Sequence, residues 1–430
     1  MTTAGVICEY NPFHNGHQYQ LEELRRQTQA DYIITAMSGD FLQRGVPALL
    51  DKHTRARMAL CSGSDLVIEL PALWATASAE YFAKAGVWLL GSTGVVDVIG
   101  YGTECPAHLQ PYLGRLARQL TTDSEALTPY EENIASLLKK GLSYPAARMQ
   151  SLRHVFSGEY PSEFFDALNL PNNILALEYE KAICQWNAVH SRQLTSCPIR
   201  RLGDGYHQSD ITSGYASATA IRKILATQTD TGFSVIQEQL TPYVPSATLD
   251  ALALARHSHT LVEPDACSQM LYYQLLSLSA SADNYMMFAD CTRDLACKIT
   301  NHLTEFVSFS QFCTLLKSKE LTYTRISRAL LHILLQITDE DYQKHLPDAD
   351  SSYLRVLGFR KVSSPLLTAI KKEGTAPLIT KVADASSALS GCNYELFQKD
   401  LFAADCYRGL VTSLSGRPSD NEYTQPIAVL

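Results

Sequence analysis

Two histidines three positions apart, His14 and His17, with Gly16 between them, are the residues of this chain best placed to do chemistry. They fall in the run Asn11-Pro12-Phe13-His14-Asn15-Gly16-His17, after an apolar stretch from Gly5 to Glu9 and before an amphipathic pattern with Leu21 and Leu24 on one face. That order predicts a strand turning into a helix, with both imidazoles at the turn. A helix start presents free N–H groups and a partial positive charge, and so favours phosphate. Two imidazoles that titrate near neutral pH would complete a phosphate clamp and stabilise charge as pyrophosphate leaves. The alternative is a pair of loop histidines that cap the helix. The phosphate role requires rings that reach solvent rather than pack inward.

The elements that must hold this turn repeat one rhythm over the first hundred residues. Strands are predicted at residues 5–9, 32–37, 66–70 and 95–101, with helices at 18–29, 53–62 and 78–91 between them. Strand–helix–strand at this spacing implies right-handed crossovers and a parallel sheet. Ligands on such sheets bind beyond the carboxyl ends of the strands. Here those ends are the His14 loop, Ser38-Gly39-Asp40 and Gly100-Tyr101-Gly102-Thr103-Glu104. Residues 110–190 read as mostly helical, with starts at Thr128-Pro129-Tyr130 and Ser143-Tyr144-Pro145. After Thr227-Gln228-Thr229-Asp230-Thr231-Gly232 the strand pattern fades and amphipathic helical segments take over. The chain is therefore read as α/β: a Rossmann-like catalytic domain over 1–228, then a mainly α-helical domain over 229–430.

Further residues around the crevice each carry two readings. Pro12 fixes the loop, and Phe13 packs beneath it or stacks on a base. Gly102 lets backbone approach an adenine or ribose, or simply makes a turn. Asn172 and Asn173 follow Pro171 at a helix start, where either caps the helix or reaches a ribose or phosphate. Ser217, Thr219 and Arg222 place two hydroxyls and a guanidinium on the first turn of another helix, a second candidate anion site. Arg200 and Arg201 add charge nearby. In the second half, Arg325, Arg328, Arg355, Arg360 and Lys361 interleave with Tyr323, Tyr353 and Phe359. That is an RNA surface or a set of amphipathic helices with solvated charges.

Composition narrows the class. With 430 residues, 46% hydrophobic and 19% charged, the chain reads as an ordinary soluble globular protein. A net charge of −8 does not advertise a nucleic-acid binder, although a local basic face can sit on an acidic protein. The 11 cysteines form no C-x-x-C pair, which argues against a disulfide scaffold or structural zinc and for reduced thiols in the cytoplasm. No signal peptide opens the sequence and no apolar run is long enough to span a membrane.

The strand–H-x-G-H–helix opening resembles the nucleotidyltransferase superfamily, and Ser217-Ala218-Thr219-Ala220-Ile221-Arg222 resembles its second signature. The segments at 9–17, 38–45, 65–71, 101–104, 142–147, 170–179, 200–207, 327–335 and 353–360 make the chain similar to the bacterial tRNA(Met) cytidine acetate ligase family. The resemblance implies a two-step ligation. ATP and acetate give acetyl-adenylate, and the acetyl group passes to N4 of the wobble cytidine of elongator tRNA(Met). It implies an ATP loop made of Ile7, Cys8, Glu9, Tyr10, Asn11, Pro12, Phe13, His14, Asn15, Gly16, His17, Gln18, Tyr19 and Gln20, with His14 and His17 catalytic. Gly102, Asn172 or Asn173, and Arg201 with Arg200 beside it would add ATP contacts. The family's loop commonly carries a third histidine where this chain has Gln20, which can donate a hydrogen bond but cannot become cationic. ATP would arrive with Mg²⁺ held by its own phosphates and water, so no dedicated metal site is expected.

Overall fold

The computed structural model describes residues 1–122, 124–201, 215–227, 233–345 and 353–430. Thr3–Cys8 is a run of small and apolar residues buried along almost its whole length, the pattern of a strand covered on both faces. This strand, β1, pairs in parallel with β2 (Tyr32–Ser38). The chain then makes a small hairpin from β3 (Phe41–Leu42) and β4 (Val46–Pro47) before β5 (Leu66–Leu70), which pairs in parallel with β2. β6 (Val98–Thr103) lies on the other flank of β1, and β7 (Thr195–Arg200) lies beyond it, again parallel. The fourth predicted strand thus starts three residues late, because Val95 and Val96 are buried in the connection rather than in the ladder.

The sheet does not stop at residue 228. β8 (Leu354–Phe359) pairs antiparallel with β5, with a bulge opposite Val67 and Ile68, and carries β9 (Leu378–Ile379) and β10 (Ala428–Val429) beside it. The order is β10-β8-β5-β2-β1-β6-β7, so the predicted parallel α/β core stands with a mixed edge added from the second half. The expected fading of strand character after residue 232 therefore fails at Leu354–Phe359. Most of this segment is buried, so it lacks the alternation that marks a half-exposed strand. Tyr353 and Arg355 are 0% and 3% exposed, which removes them from any RNA surface.

Helices cover the faces. Ala79–Gly91 crosses β1 at Gly86, where a Cβ would stand 2.7 Å from Ile7. Only glycine permits that approach. Pro171–Val189 packs beside it, with Trp88 and Trp186 edge to face at 5.5 Å. Ser143-Tyr144-Pro145 does open a helix, Tyr144–Val155. Thr128-Pro129 does not, since Pro129 lies inside a helix that begins at Ser124. The boundary residues 228–232 lie outside the described residues, as do 202–207 and 214. All 11 cysteines are free. Among the described residues no helix is long and apolar enough to cross a membrane.

Candidate active site

β1 ends at Cys8 and the chain leaves the sheet through Glu9 and Tyr10. Tyr10 adopts a left-handed backbone (φ +49) and the Asn11–Pro12 peptide is cis. Side chains fix the turn from within. Leu49 N–H donates to Asn11 Oδ1 at 2.8 Å. Tyr10 and Phe13 are both buried, their rings edge to face at 4.6 Å. Phe13 is therefore packing under the loop.

His14 is the N-cap of the helix Asn15–Thr28. Its Nδ1 accepts Gly16 N–H at 3.1 Å, and His17 Nδ1 accepts His14 N–H at 3.4 Å. The two rings stack at 3.7 Å with planes 21° apart. Tyr10 and Phe13 hold the far side of His17 at 4.8 and 5.5 Å. The capping reading is thus correct, and it sets up the chemical one. With each Nδ1 accepting, a neutral ring carries its proton on Nε2. Both imidazoles then offer an Nε2–H donor.

Two expectations change. The helix-start amides are not free: Asn15 N–H donates to Tyr243 O at 2.9 Å and His17 N–H to His14 O at 2.8 Å. Nor is the pair charged near neutral pH. His14 is only 3% exposed. Burial first, then the guanidiniums of Arg201 and Arg222, pushes it down to about 3. Burial, His14 and Arg201 hold His17 well below its usual value. His14 has packed inward, yet the charges acting on it are those of two arginines at the crevice.

This has a measurable sign. Between pH 6.5, the ordinary value, and about 3 the folded protein leaves His14 neutral while the unfolded chain protonates it. Stability therefore falls as pH drops through that window. His14→Asn keeps a capping oxygen and removes the titration. Urea unfolding at pH 7 and pH 5 should show a shallower loss for the variant; an unchanged slope would refute the burial argument.

The other wall comes from three segments. Ser217 Oγ accepts Ala220 N–H at 3.1 Å and so caps the helix Ala218–Thr227. Arg222 on that helix donates to Asn11 O at 2.5 Å and to Thr219 Oγ1 at 3.2 Å. Arg201 N–H donates to Thr103 O at 2.9 Å just past β7, and its stem crosses Gly102, where a Cβ would meet Arg201 Cγ at 3.4 Å. Arg200 is exposed and acts on Tyr19, not on His14.

The two asparagines separate. Asn173 is 0% exposed. Its Oδ1 accepts from Thr103 Oγ1 at 2.7 Å and Glu104 N–H at 2.8 Å, and its Nδ2 donates to Ala167 O at 2.8 Å. It fastens the helix Pro171–Val189 to the end of β6. Asn172 is half-buried and donates to Glu104 Oε1 at 2.7 Å.

Sequence reasoning missed two residues. Glu104 lies between Asn172 and Arg201, and its Oε2 is buried without a partner among the described residues. Its place at a strand's carboxyl end was the available signal. Arg55 is fully buried. It donates to Glu9 O at 2.6 Å and Ser38 O at 3.1 Å, tying the ends of β1 and β2 together. A lone arginine in a helical pattern gives no such signal. Ile7 and Cys8 belong to β1 itself. Glu9 accepts Gln43 N–H at 2.9 Å, and Gln18 donates to Glu22 at 2.8 Å. Tyr19 meets Tyr215 edge to face at 6.2 Å. Gln20 is half-buried one turn beyond His17. Among the described residues no group of three or more His, Cys, Asp or Glu side chains could hold a metal ion.

A mainly parallel sheet whose first strand leads into stacked H-x-G-H imidazoles, with Arg201 and Arg222 acting on them, defines a nucleotidyltransferase-type enzyme. The model of the HIGH Nucleotidyl Transferase family matches residues 1–422. The chain is 35% identical over 408 residues to a tRNA(Met) cytidine acetate ligase of Thermoanaerobacter sp., covering 95% of each. It is 31% identical to the Acetivibrio thermocellus protein of the same name, over the whole of both. A crystal structure of Thermotoga maritima TmcAL bound with alpha-thio ATP superimposes with a TM-score of 0.88 at 27% identity, covering 100% of both chains. The chain belongs to the tRNA(Met) cytidine acetate ligase family.

Proposed function

We propose that this enzyme activates acetate with ATP and acetylates N4 of the wobble cytidine of elongator tRNA(Met). An acetate oxygen attacks the α-phosphorus, an O–P bond forms and pyrophosphate departs. The cytidine amine then attacks the acetyl carbon, the C–O bond to phosphate breaks, and AMP and one proton leave. Adenylation supplies the leaving group that free acetate lacks. The protein's task is positioning and charge stabilisation.

The observation that carries the reading is the stacked His14–His17 pair with Arg201 and Arg222 beside it. The anionic phosphates of ATP offset the guanidinium charges that add to burial in keeping the rings neutral, and the Nε2–H donors face phosphate oxygens. Gly102, Asn172 and Glu104 line the ribose side. Asn173 acts through Asn172's position, its own amide being occupied. The remaining residues of the loop Ile7–Gln20 shape it, and MgATP is the substrate form, its cation carried on the phosphates. Acetate and tRNA(Met) are the other partners, and the cytoplasm is where they meet. Residues 1–228 form the catalytic part. Residues 229–430, the sheet strands β8 to β10 apart, supply the tRNA-facing part.

The test incubates the protein with ATP, acetate and bulk tRNA, then analyses nucleosides by mass spectrometry. N4-acetylcytidine should appear only with all three present. Pyrophosphate exchange without any acetylated nucleoside would instead mark a small-molecule adenylyltransferase. Arg222→Ala should raise the KM for ATP roughly 10- to 100-fold, the worth of a charge-assisted contact. An unchanged KM would remove Arg222 from the site.

A further inference from the structure

A cavity of about 800 Å³ lies between the helices Tyr144–Val155, Pro171–Val189 and Tyr323–Leu335. Its size falls within the range of about 300–1,000 Å³ that suits a small ligand. Its floor is apolar, from Met149, Leu168 and Leu177, and its walls carry two fixed ion pairs. Arg148 meets Glu178 at 2.8 Å. Arg328 clasps Asp290 through two nitrogens, at 2.9 and 3.2 Å. Asp290 has a left-handed backbone (φ +63), a conformation uncommon for a non-glycine residue. Tyr144, 51% exposed, stands at the rim.

The cavity is wired to the ATP loop from two directions. Glu9 accepts Gln43 N–H, and the same loop ends at Gly45 (φ +74), where a Cβ would stand 2.3 Å from the backbone nitrogen of Arg328. Ser327 Oγ donates to Gly45 O at 2.8 Å. On the other side, the helix that presents Glu178 begins with Asn172 on Glu104. A third contributor, the start of the helix Ala79–Gly91, follows β5. The cavity therefore stands over the carboxyl edge of the sheet that carries the candidate active site.

We infer that this cavity receives the acceptor cytidine, extruded from a single-stranded RNA loop. The inference rests on the proposed function and names its second substrate site. Cytosine offers a donor at N4 and acceptors at N3 and O2. A carboxylate facing N4 beside a guanidinium facing N3 matches that edge, whereas uridine presents the reverse order there, an acceptor at O4 and a donor at N3. An exposed tyrosine over an apolar floor is what an unstacked base requires.

The experiment uses Tyr144→Ala and Arg325→Ala, the latter lining the cavity outside both hydrogen-bonded pairs, its charge acting on Asp290 through space. Acetate-dependent ATP–pyrophosphate exchange, measured without RNA, should stay within about twofold of wild type, while kcat/KM for transcribed tRNA(Met) falls by about tenfold or more. A short single strand containing one cytidine should also bind the wild type about tenfold more tightly than its uridine counterpart. Unchanged tRNA kinetics in both variants would overturn the assignment. A parallel loss of exchange would overturn it too, by giving the cavity to the ATP or acid half-reaction. If wild type exchanged pyrophosphate but acetylated no RNA, the underlying reading would fall and this inference with it.

Discussion

His17→Ala abolishes acetate-dependent ATP–pyrophosphate exchange while the protein stays folded. The ring is gripped on three sides, by His14, Tyr10 and Phe13, and its Nδ1 is committed to the His14 N–H, so Nε2–H has a fixed direction. Removing one such preorganised donor costs roughly 10²–10³ in rate. The effect belongs in kcat, because the donor matters most when charge builds on the departing pyrophosphate. The stability cost is small: a long 3.4 Å capping contact and partial packing, about 1 kcal/mol by the usual worth of a cap. Exchange kinetics and a thermal melt on one preparation separate the two. Near-normal exchange in a folded variant would remove the histidine pair from the chemistry, and with it the proposed route to acetyl-adenylate.

The crevice was legible in the sequence because its signals are local. A strand, a turn with two histidines and a helix follow one another between Thr3 and Thr28, and the parallel sheet follows from the same rhythm repeated. What was hidden depends on distance along the chain. Tyr243 reaches back to occupy the Asn15 N–H, so amides that the local pattern offers to phosphate are already used. Burial removes the charge expected on His14, and Arg201 and Arg222, converging on it from separate segments, add to that effect. β8 hides for a different reason: most of its side chains are buried, and a run without alternation carries no period to read. The basic and aromatic residues of that run look like a nucleic-acid surface only until the sheet closes over them. The segment at 142–147 drew notice as a helix start and through its resemblance, with no chemical role attached. The structure gives it a place at the rim of a cavity whose opposite wall lies some 180 positions away, at Arg325 and Arg328.

Closing the sheet with β8 places Arg355 inside it, and this sets the largest expected effect on stability. Arg355 Nη1 lies 3.0 Å from Glu69 Oε2. Lys52 Nζ lies 2.8 Å from Glu69 Oε1, 3.2 Å from Glu422 and 3.7 Å from Asp40. Arg355 also meets Glu422. Lys52, Glu69 and Arg355 are each under 5% exposed. Glu69→Gln leaves two buried cations with less counter-charge, a loss of about 3–5 kcal/mol for a buried pair broken from one side. Replacing Lys52 and Glu69 together by methionine should cost less than the sum of the single changes, since neither charge is then stranded. The pH sign follows from the same contacts. Burial pushes the Glu69 carboxyl up, but Arg355 and Lys52 outweigh it and hold the group below its usual 4.5. The stabilisation is therefore present above pH 4.5 and lost as the pH falls through the folded value. Urea midpoints of wild type and Glu69→Gln should draw together on acidification. A gap that stays constant from pH 7 to pH 4 would mean that packing, and not charge, joins the two halves of this chain at the edge of its sheet.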